Sequence, residues 1–347
     1  TTGVAKGAML SHGNILANLQ QVLAMGRSHM TGNDCVQTAL PLYHIFAFTC
    51  NLMSFFEIGA RNILVPSPRP VQNIQRAIEN YPITWITGVN TLFNGLMNEE
   101  WFSAFPPTHL VAAIAGGTAL HRSVAARWAV MTGTPIAEGY GLTESSPLVS
   151  FNPLSDAARP GSIGIPVPGT DAALVDDDDA PVPEGQPGEL IVKGPQIMQG
   201  YWNRPDETEK TVRNGWLYTG DVAVMEDGGF LRIVDRKKDL VLVSGFNVYP
   251  NEVEDCLAKI PEVLEAAVIG IPDAASGEAV RAYVVRNPDV PGELTKEAIV
   301  AHCRKHLTGY KVPKSIVIRD ELPKSPIGKI LRKDLKAEVK AEFAGKV

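Results

Sequence analysis

Short hydrophobic runs alternate with helical patterns along the first part of the chain. The strand-like runs include residues 62–66, 83–87 and 110–114, and helical patterns cover residues 11–25 and 71–80. Ser11 comes directly before the first helical pattern, where its hydroxyl can accept a hydrogen bond from a free backbone N–H. Strands that alternate with helices predict a layered α/β domain with a parallel sheet.

The pattern changes at about residue 152, where glycine and proline become frequent. Short β-like runs at residues 172–175, 189–192 and 230–234 predict hairpins and turns. After Asp235 the pattern is mixed, with helices near residues 251–259 and 295–306, and the basic segment 332–346 predicts a solvated, frayed helix. We therefore predict a large domain over residues 1–234 and a small α+β domain over residues 235–347. Within the large domain, residues 1–151 form the α/β part and residues 152–234 a β-rich, barrel-like part.

Composition limits the class of protein. The 347 residues are 45% hydrophobic and 20% charged, with a net charge of −6, which disfavours a general nucleic-acid binder because that needs a basic surface. The four cysteines form no CxxC pair, as expected in a reducing compartment. No apolar run approaches the ~20 residues of a membrane-spanning helix. These features predict a cytoplasmic protein. The chain begins within a loop suited to phosphate, so we expect it to be a fragment of a longer protein.

Two segments carry residue types suited to a nucleotide triphosphate. TTGVAKG, residues 1–7, places hydroxyls, glycines and a lysine before a helix, where backbone N–H groups and a cation can hold phosphate. EGYGLTE, residues 138–144, has two glycines that let the backbone bend against a flat ring. Its Thr143 and Glu144 supply hard oxygen ligands for phosphate and Mg²⁺. Each segment alone is equally compatible with an ordinary loop.

Three further segments follow in the second half of the chain. YTGD, residues 218–221, offers a carboxylate that can accept two hydrogen bonds from a ribose diol. Residues 235–254 combine a charged run, an apolar strand and a turn that contains glycine. Lys329 lies in a proline-rich loop, where a lysine can stabilise a charged transition state. A hairpin turn with a surface Asp would explain the first of these segments, and a linker followed by a hairpin would explain the second.

Together, and in this order, the five segments resemble the adenylate-forming superfamily of acyl-CoA synthetases, luciferases and peptide-synthetase adenylation domains. Residues 39–47, 86–93, 243–252 and 307–314 are most similar to bacterial long-chain fatty acyl-CoA synthetases. The resemblance runs from residue 1 to about residue 333. It implies an enzyme that uses ATP and Mg²⁺ to convert a fatty acid to acyl-AMP, and then forms acyl-CoA with coenzyme A.

The resemblance implies roles for individual residues. Lys329 is expected to contact the carboxylate and the α-phosphate, Glu144 to bind Mg²⁺, and Thr143 to contact the α-phosphate. Asp235 is the expected hinge, about which the C-terminal domain rotates so that Lys329 leaves and the turn at Gly245 lines a tunnel for the coenzyme A thiol. The other expected nucleotide and coenzyme contacts are Thr1, Thr2, Gly3 and Lys6 on pyrophosphate, Gly116, Gly117, Thr118, Ala119, Tyr140 and Gly141 at adenine, Asp221 and Arg236 on ribose, and Lys238 near coenzyme A.

For the fatty acid, the resemblance implies that His44 lies near the carboxylate, that Phe48 gates an acyl tunnel, and that Val89 and Thr91 line it. The residues alone allow all four to be ordinary core positions. The i, i+4 pair His302 and His306 beside Cys303 lacks a fourth metal ligand and is better explained as a helix surface.

The expected partners are a fatty acid, ATP and coenzyme A, with peripheral association at the inner face of the cell membrane and a homodimer. No nucleic acid is expected. The alternatives are another adenylate-forming ligase (for a medium-chain or aryl acid, or one that stops at acyl-AMP), an oxidoreductase of the luciferase kind, or an inactive nucleotide-binding fragment.

Overall fold

The computed structural model describes residues 5–326 and 328–344. Backbone contacts divide the chain into two units. Among the described residues, the larger unit contains residues 5–219 and 223–233, and the smaller unit contains residues 220–222 and those from 234 onward. The smaller unit thus includes Asp221, whose carboxylate lies 3.4 Å from Nε of Arg236.

A seven-stranded sheet forms the first part of the larger unit. Its strands are β1 (Cys35–Thr38), β2 (Arg61–Leu64), β3 (Trp85–Gly88), β4 (Ala112–Ala115), β5 (Ile136–Gly141), β6 (Leu148–Phe151) and β7 (Ile165–Pro166). The strand order is β2-β1-β3-β4-β5-β6-β7. The pairs from β2 to β5 are parallel and the last two are antiparallel. The predicted parallel sheet is therefore confirmed, and the carboxyl ends of β1 to β5 share one edge.

The helices of the larger unit are α1 (His12–Gly26), α2 (Ser54–Glu57), α3 (Gln75–Asn80), α4 (Asn90–Met97), α5 (Glu100–Ala104), α6 (Arg122–Thr132) and α7 (Pro205–Thr211). A π-helix, Ala47–Met53, leads into α2. Ser11 caps α1 as predicted, since its hydroxyl accepts the N–H of Asn14 at 3.1 Å. Helices α3 to α6 bury their apolar side chains against one face of the sheet, around Trp128, which is packed between Phe93 and Phe102.

A five-stranded sheet follows, as the β-rich pattern predicted. Its strands are β8 (Asp171–Val175), β9 (Pro187–Lys193), β10 (Val212–Arg213), β11 (Trp216–Glu226) and β12 (Phe230–Arg236). They pair in the order β10-β11-β9-β8, and β12 pairs with β11. Alternate side chains such as Leu190, Val192 and Leu217 are fully buried, so one face of this sheet forms its core.

The smaller unit has a sheet that is covered on both faces. Its strands are β13 (Val241–Val243), β14 (Phe246–Val248), β15 (Val263–Asp273), β16 (Gly277–Arg286) and β17 (Ser315–Arg319), and its helices are α8 (Pro250–Leu257), α9 (Lys296–His306) and α10 (Arg332–Ala344). Helices α8 and α9 cover one face of the sheet, and α10 covers the other. The expectation that segment 332–346 is solvated and frayed is wrong for α10, because Leu335 and Val339 are 0% and 4% exposed against the sheet.

No helix among the described residues is both long enough and apolar enough to cross a lipid bilayer.

Candidate active site

The predicted residues of the larger unit follow the carboxyl ends of its parallel strands. His44 and Phe48 come after β1, Val89 and Thr91 after β3, residues 116–119 after β4, and residues 140–144 close β5. Open α/β sheets bind ligands at this edge because the loops that follow parallel strands converge there. The topology therefore brings together segments that are up to 100 residues apart in sequence.

Glycines let the loops after β4 and β5 come close together. A Cβ atom at Gly116 would lie 3.1 Å from the ring of Phe46 and 3.3 Å from the carbonyl oxygen of Gly139. Gly117, next along, has φ of 76°, in the left-handed region that favours glycine. At Gly141, a Cβ atom would overlap the carbonyl oxygen of Pro147. A side chain at Gly116 would press on Phe46 and on Gly139 of β5, and one at Gly141 would press on Pro147, so these two glycines allow the close packing of segments expected to enclose adenine.

Glu144 is held by Tyr201, a residue that the sequence analysis missed. The Tyr201 hydroxyl donates a hydrogen bond to Oε1 of Glu144 at 2.6 Å. The backbone oxygen of Glu144 accepts the N–H of Met198 at 2.8 Å, which ties the two segments together a second time. Burial and the hydrogen bond to Glu144 raise the pKa of the Tyr201 hydroxyl, so it stays protonated and remains a donor. Thr143, beside Glu144, is exposed at the start of a short 3₁₀ turn.

Lys6 contacts the ring of Tyr201, the residue that donates to Glu144. Its ammonium group lies 4.4 Å from the centroid of the Tyr201 ring and 3.0 Å from Oε2 of Glu207. The hydrogen bond and charge of Lys6 lower the pKa of Glu207. Lys6, Tyr201 and Glu144 therefore form one cluster, in which the tyrosine ring contacts the cation and its hydroxyl binds the carboxylate. Thr1, Thr2 and Gly3, also expected in the phosphate loop, lie outside the described residues.

The donor set at Glu144 fits a magnesium ion that is bound mainly by a nucleotide. Across residues 5–326 and 328–344, no three side chains of His, Cys, Asp or Glu are grouped so that they could hold a metal by themselves. Mg²⁺ is commonly bound by one or two carboxylates, with phosphate oxygens and water as the remaining ligands. Glu144 can be such a carboxylate, since the Tyr201 hydroxyl occupies Oε1 and orients the group.

The residues expected near the fatty acid differ in their surroundings. Nδ1 of the His44 ring accepts the backbone N–H of Phe46 at 3.3 Å, which leaves Nε2 to carry the proton of a neutral ring. Phe48 lies within the π-helix Ala47–Met53, a rare conformation that is frequent at functional sites. Val89 is 2% exposed and packs with Leu40 and Ala47, as an ordinary core residue would. Thr91 is half-buried in α4.

In the smaller unit the structure brings Lys329 into the same charged group as the expected ribose contacts. Asp221 pairs with Arg236, and both, together with Lys238, act electrostatically on Lys329. Burial, reinforced by the neighbouring cation Arg236, lowers the pKa of Lys329 to about 8. The lysine sits in a tight loop, where its backbone oxygen accepts the N–H of Ser325 at 2.8 Å.

Asp235 is completely buried. Its carboxylate accepts backbone N–H groups from Arg236 at 2.8 Å and from Asn251 at 2.7 Å. Burial, opposed by the charge of Arg332, raises the pKa of Asp235 to about 6. The division between the units falls next to this residue, at Val234. Rotation about Asp235 stays a prediction.

The turn at Gly245 joins β13 to β14. Ser244 and Gly245 have φ of 52° and 84°, as in the two-residue turns that suit a twisted hairpin. A Cβ atom at Gly245 would have nothing within 4 Å. Within this unit the glycine therefore serves the backbone conformation, and the predicted role in a tunnel is not tested.

Comparison with known proteins decides the family. Residues 1–202 match the AMP-binding enzyme family, and residues 252–329 match the AMP-binding enzyme C-terminal domain. The chain belongs to the AMP-binding enzyme family. It is 55% identical over all 347 residues to a long-chain-fatty-acid–CoA ligase of Escherichia coli O6:H1, and 48% identical over 341 residues to one of Haemophilus influenzae. It covers 61% of the length of the first and 60% of the second.

Two solved structures have the same fold as this chain. MatB from Rhodopseudomonas palustris with bound ATP is 31% identical, with a TM-score of 0.90 over 98% of this chain and 66% of that one. The anthranilate CoA ligase AuaEII, in complex with anthranoyl-AMP, is 29% identical, with a TM-score of 0.91 over 99% of this chain and 67% of that one. The predicted fold class, of mixed α/β sheets followed by a small C-terminal domain, is confirmed.

Two residues of this AMP-binding enzyme were missed by the sequence analysis. Tyr201 lies between Gly200 and Trp202, without a pattern that links it to Glu144. Arg332 begins α10, and its charge was attributed to a solvated helix. The only signal for Arg332 was its position three residues after Lys329. The contacts of the His302 and Cys303 region, in contrast, agree with a packed helix, since His302 bonds the carbonyl oxygen of Cys256 at 3.1 Å and Cys303 is buried.

Proposed function

We propose that this chain is part of an AMP-forming long-chain fatty acid:CoA ligase. The observation that carries the proposal is the 55% identity to a ligase of that name across the whole chain. The reaction has two steps. A fatty acid and ATP give acyl-AMP and pyrophosphate, and acyl-AMP and coenzyme A then give acyl-CoA and AMP. The product would feed fatty acid degradation or lipid synthesis.

Adenylation requires positive charge, because a carboxylate must attack an α-phosphate that is itself anionic. Lys329 supplies this charge, since an amine with a pKa of about 8 is mostly protonated at neutral pH. Asp221 accepts the hydroxyls of the ribose, and its pairing with Arg236 holds it beside Lys329. Lys6 and Thr143 contact phosphate, and the His44 ring donates from Nε2 to the fatty acid carboxylate. Mg²⁺, when bound at Glu144, would offset phosphate charge.

Thioester formation uses the second set of residues. We propose that the smaller unit rotates at Asp235, that the turn at Gly245 then lines the path of the coenzyme A thiol, and that Lys238 assists. The thiol attacks the acyl carbonyl and AMP leaves. The charge of Lys329 is not needed in this step, because AMP is a good leaving group from a mixed anhydride.

Location and assembly are further parts of the proposal. A fatty acid substrate partitions into membranes, so we propose a cytoplasmic protein that associates peripherally with the inner face of the cell membrane, as a homodimer. Co-sedimentation with vesicles and the mass in solution test these two points separately.

One alternative acid class has its own observation. The chain is 35% identical over 344 residues to a feruloyl-CoA synthase of an Amycolatopsis species. An aryl acid is therefore the second candidate substrate, although the long-chain ligases are more similar.

The decisive experiment is ATP–pyrophosphate exchange by the full-length gene product with fatty acids of increasing length and with ferulate, repeated with coenzyme A. Exchange that is fastest with long-chain acids, and acyl-CoA as product, supports the proposal. A preference for ferulate would show that the substrate is an aryl acid. Light output with oxygen but without coenzyme A would show that the second step is an oxidation and not thioester formation.

Two variants separate the steps. Lys329→Ala is expected to abolish exchange and to leave thioester formation from supplied acyl-AMP intact. Gly245→Leu is expected to do the reverse. Equal loss of both steps in either variant would contradict the assignment of that residue.

A further inference from the structure

We propose that Arg332 is a positioning residue for adenylation, and that its contacts with Asp235, Asp239 and Glu254 fix the loop that presents Lys329. The inference rests on the proposed function, because it concerns the step in which Lys329 acts. It gives a role to the last residue of the fifth sequence segment, residues 322–332, which the sequence analysis left without one.

The guanidinium of Arg332 is enclosed by acceptors. Its Nη2 donates to Oε2 of Glu254 and to Oδ1 of Asn251, both at 2.7 Å, and its Nε donates to Oε1 of Glu254 at 3.1 Å. Its Nη1 lies 3.6 Å from carboxylate oxygens of both Asp235 and Asp239. The two bonds to Glu254 form a bidentate pair, which fixes the plane of the guanidinium as well as its position.

The three carboxylates are themselves immobilised. Asp235 and Glu254 are 0% and 7% exposed. Asp235 accepts two backbone N–H groups, and Oε1 of Glu254 accepts the N–H of Val268 at 2.7 Å. Asp239 also accepts from Lys336 at 2.7 Å, one turn along α10 from Arg332. Arg332 is therefore bound to groups whose positions the smaller unit has already set, rather than to mobile surface side chains.

The Lys329 loop, which is closed by Pro323 and Leu331, connects Lys329 to Arg332. An isolated antiparallel β-bridge pairs Lys324 with Ile330, and the N–H of Leu331 donates to the backbone oxygen of Pro323 at 2.8 Å. These contacts join the two arms of the loop. Lys329 lies inside this closed loop, and Arg332 is the next residue after Leu331 and the first of α10. Since the loop is short and closed, a shift of Arg332 moves Lys329 with it. The charge of Arg332 also contributes to the lowered pKa of Lys329.

Arg332→Met in the full-length gene product removes the pairs while it keeps the length of the side chain. We expect adenylation, measured as ATP–pyrophosphate exchange, to fall about 100-fold, since a displacement of about 1 Å at a reacting group costs that much. Thioester formation from supplied acyl-AMP should change much less than adenylation, because the charge of Lys329 is not used in that step. Arg332→Lys keeps the charge but not the bidentate geometry, so it should recover adenylation in part.

Arg319→Met is the matched control. Arg319 also pairs with a carboxylate of α10, Glu338, and its guanidinium lies over the ring of Tyr283, so its contacts are on the sheet and the middle of α10. Both half-reactions should be normal in this variant. If Arg332→Met does not fold, Glu254→Gln removes the main partner of Arg332 with little change of shape, and it should show the same selective loss.

A second readout distinguishes positioning from a loss of general stability. Loss of the Arg332 cation should raise the pKa of Lys329, because that charge helps to lower it. The pH above which adenylation falls should therefore be higher in Arg332→Met, and Arg332→Lys should restore the original value. Equal loss of both half-reactions, or no loss in either, would overturn the inference. If the unmodified protein fails to adenylate any long-chain acid, the proposed function fails first, so the two failures can be told apart.

Discussion

The hydrogen bond between Tyr201 and Glu144 gives the most specific test of the magnesium assignment. Tyr201→Phe removes the hydroxyl that donates to Oε1 of Glu144 at 2.6 Å and leaves the ring against Lys6. Tyr201 is 6% exposed, so water has little access to replace the lost donor. The carboxylate should then lose its fixed orientation toward a bound Mg²⁺.

The expected magnitude follows from the type of bond. A hydrogen bond to a charged group contributes about 1.5–3 kcal/mol, and about 1.4 kcal/mol corresponds to a factor of ten. Loss of an outer partner of a metal ligand commonly weakens metal affinity or activity about 10–100-fold. We therefore expect the Mg²⁺ concentration for half-maximal ATP–pyrophosphate exchange to rise about 10–100-fold in Tyr201→Phe.

The assay is a Mg²⁺ titration of exchange at saturating fatty acid, with a thermal melt to check folding. Tyr218→Phe is the control, because it also removes a tyrosine hydroxyl that interacts with a carboxylate, that of Asp179, on the β-rich sheet. Its Mg²⁺ dependence should equal that of the unmodified protein. An unchanged Mg²⁺ requirement in a folded Tyr201→Phe would refute the claim that Tyr201 orients a metal ligand.

Two further predictions concern pH. The pKa of Lys329 is lowered to about 8, so kcat/KM for adenylation should fall above about pH 8 as the ammonium loses its proton. Any activity left in Lys329→Arg should not fall in this range. A flat pH profile from about pH 8 to about pH 9.5 in the unmodified protein would contradict this prediction. The pKa of Asp235 is raised from 3.8 to about 6, so the folded state binds a proton that the unfolded state has released between these values. Protonation of Asp235 stabilises the folded state by on the order of 3 kcal/mol below about pH 4, and this contribution is lost as pH rises through about 6. The free energy of unfolding from urea melts should therefore not show this loss in Asp235→Asn. The same pH dependence in both proteins would count against the prediction.

The sequence by itself determined the local elements and the order of the segments suited to a nucleotide. The pattern before residue 150 located α1 with its Ser11 cap, and the runs at 83–87 and 110–114 overlap β3 and β4. These features are set by contacts within a few residues, such as an N-cap bond or the alternation of a strand, and are therefore visible in a short window. The family was likewise predictable, because its segments are contiguous.

Only the tertiary structure decided which side chains support those segments. Tyr201 meets Glu144 across 57 positions, and Arg332 meets Glu254 across 78. The basic composition of α10 favoured an exposed helix, yet Leu335 and Val339 are buried because the sheet of the smaller unit offers them an apolar face. Contacts of this kind depend on which surfaces the folded chain brings together, and no local propensity records that.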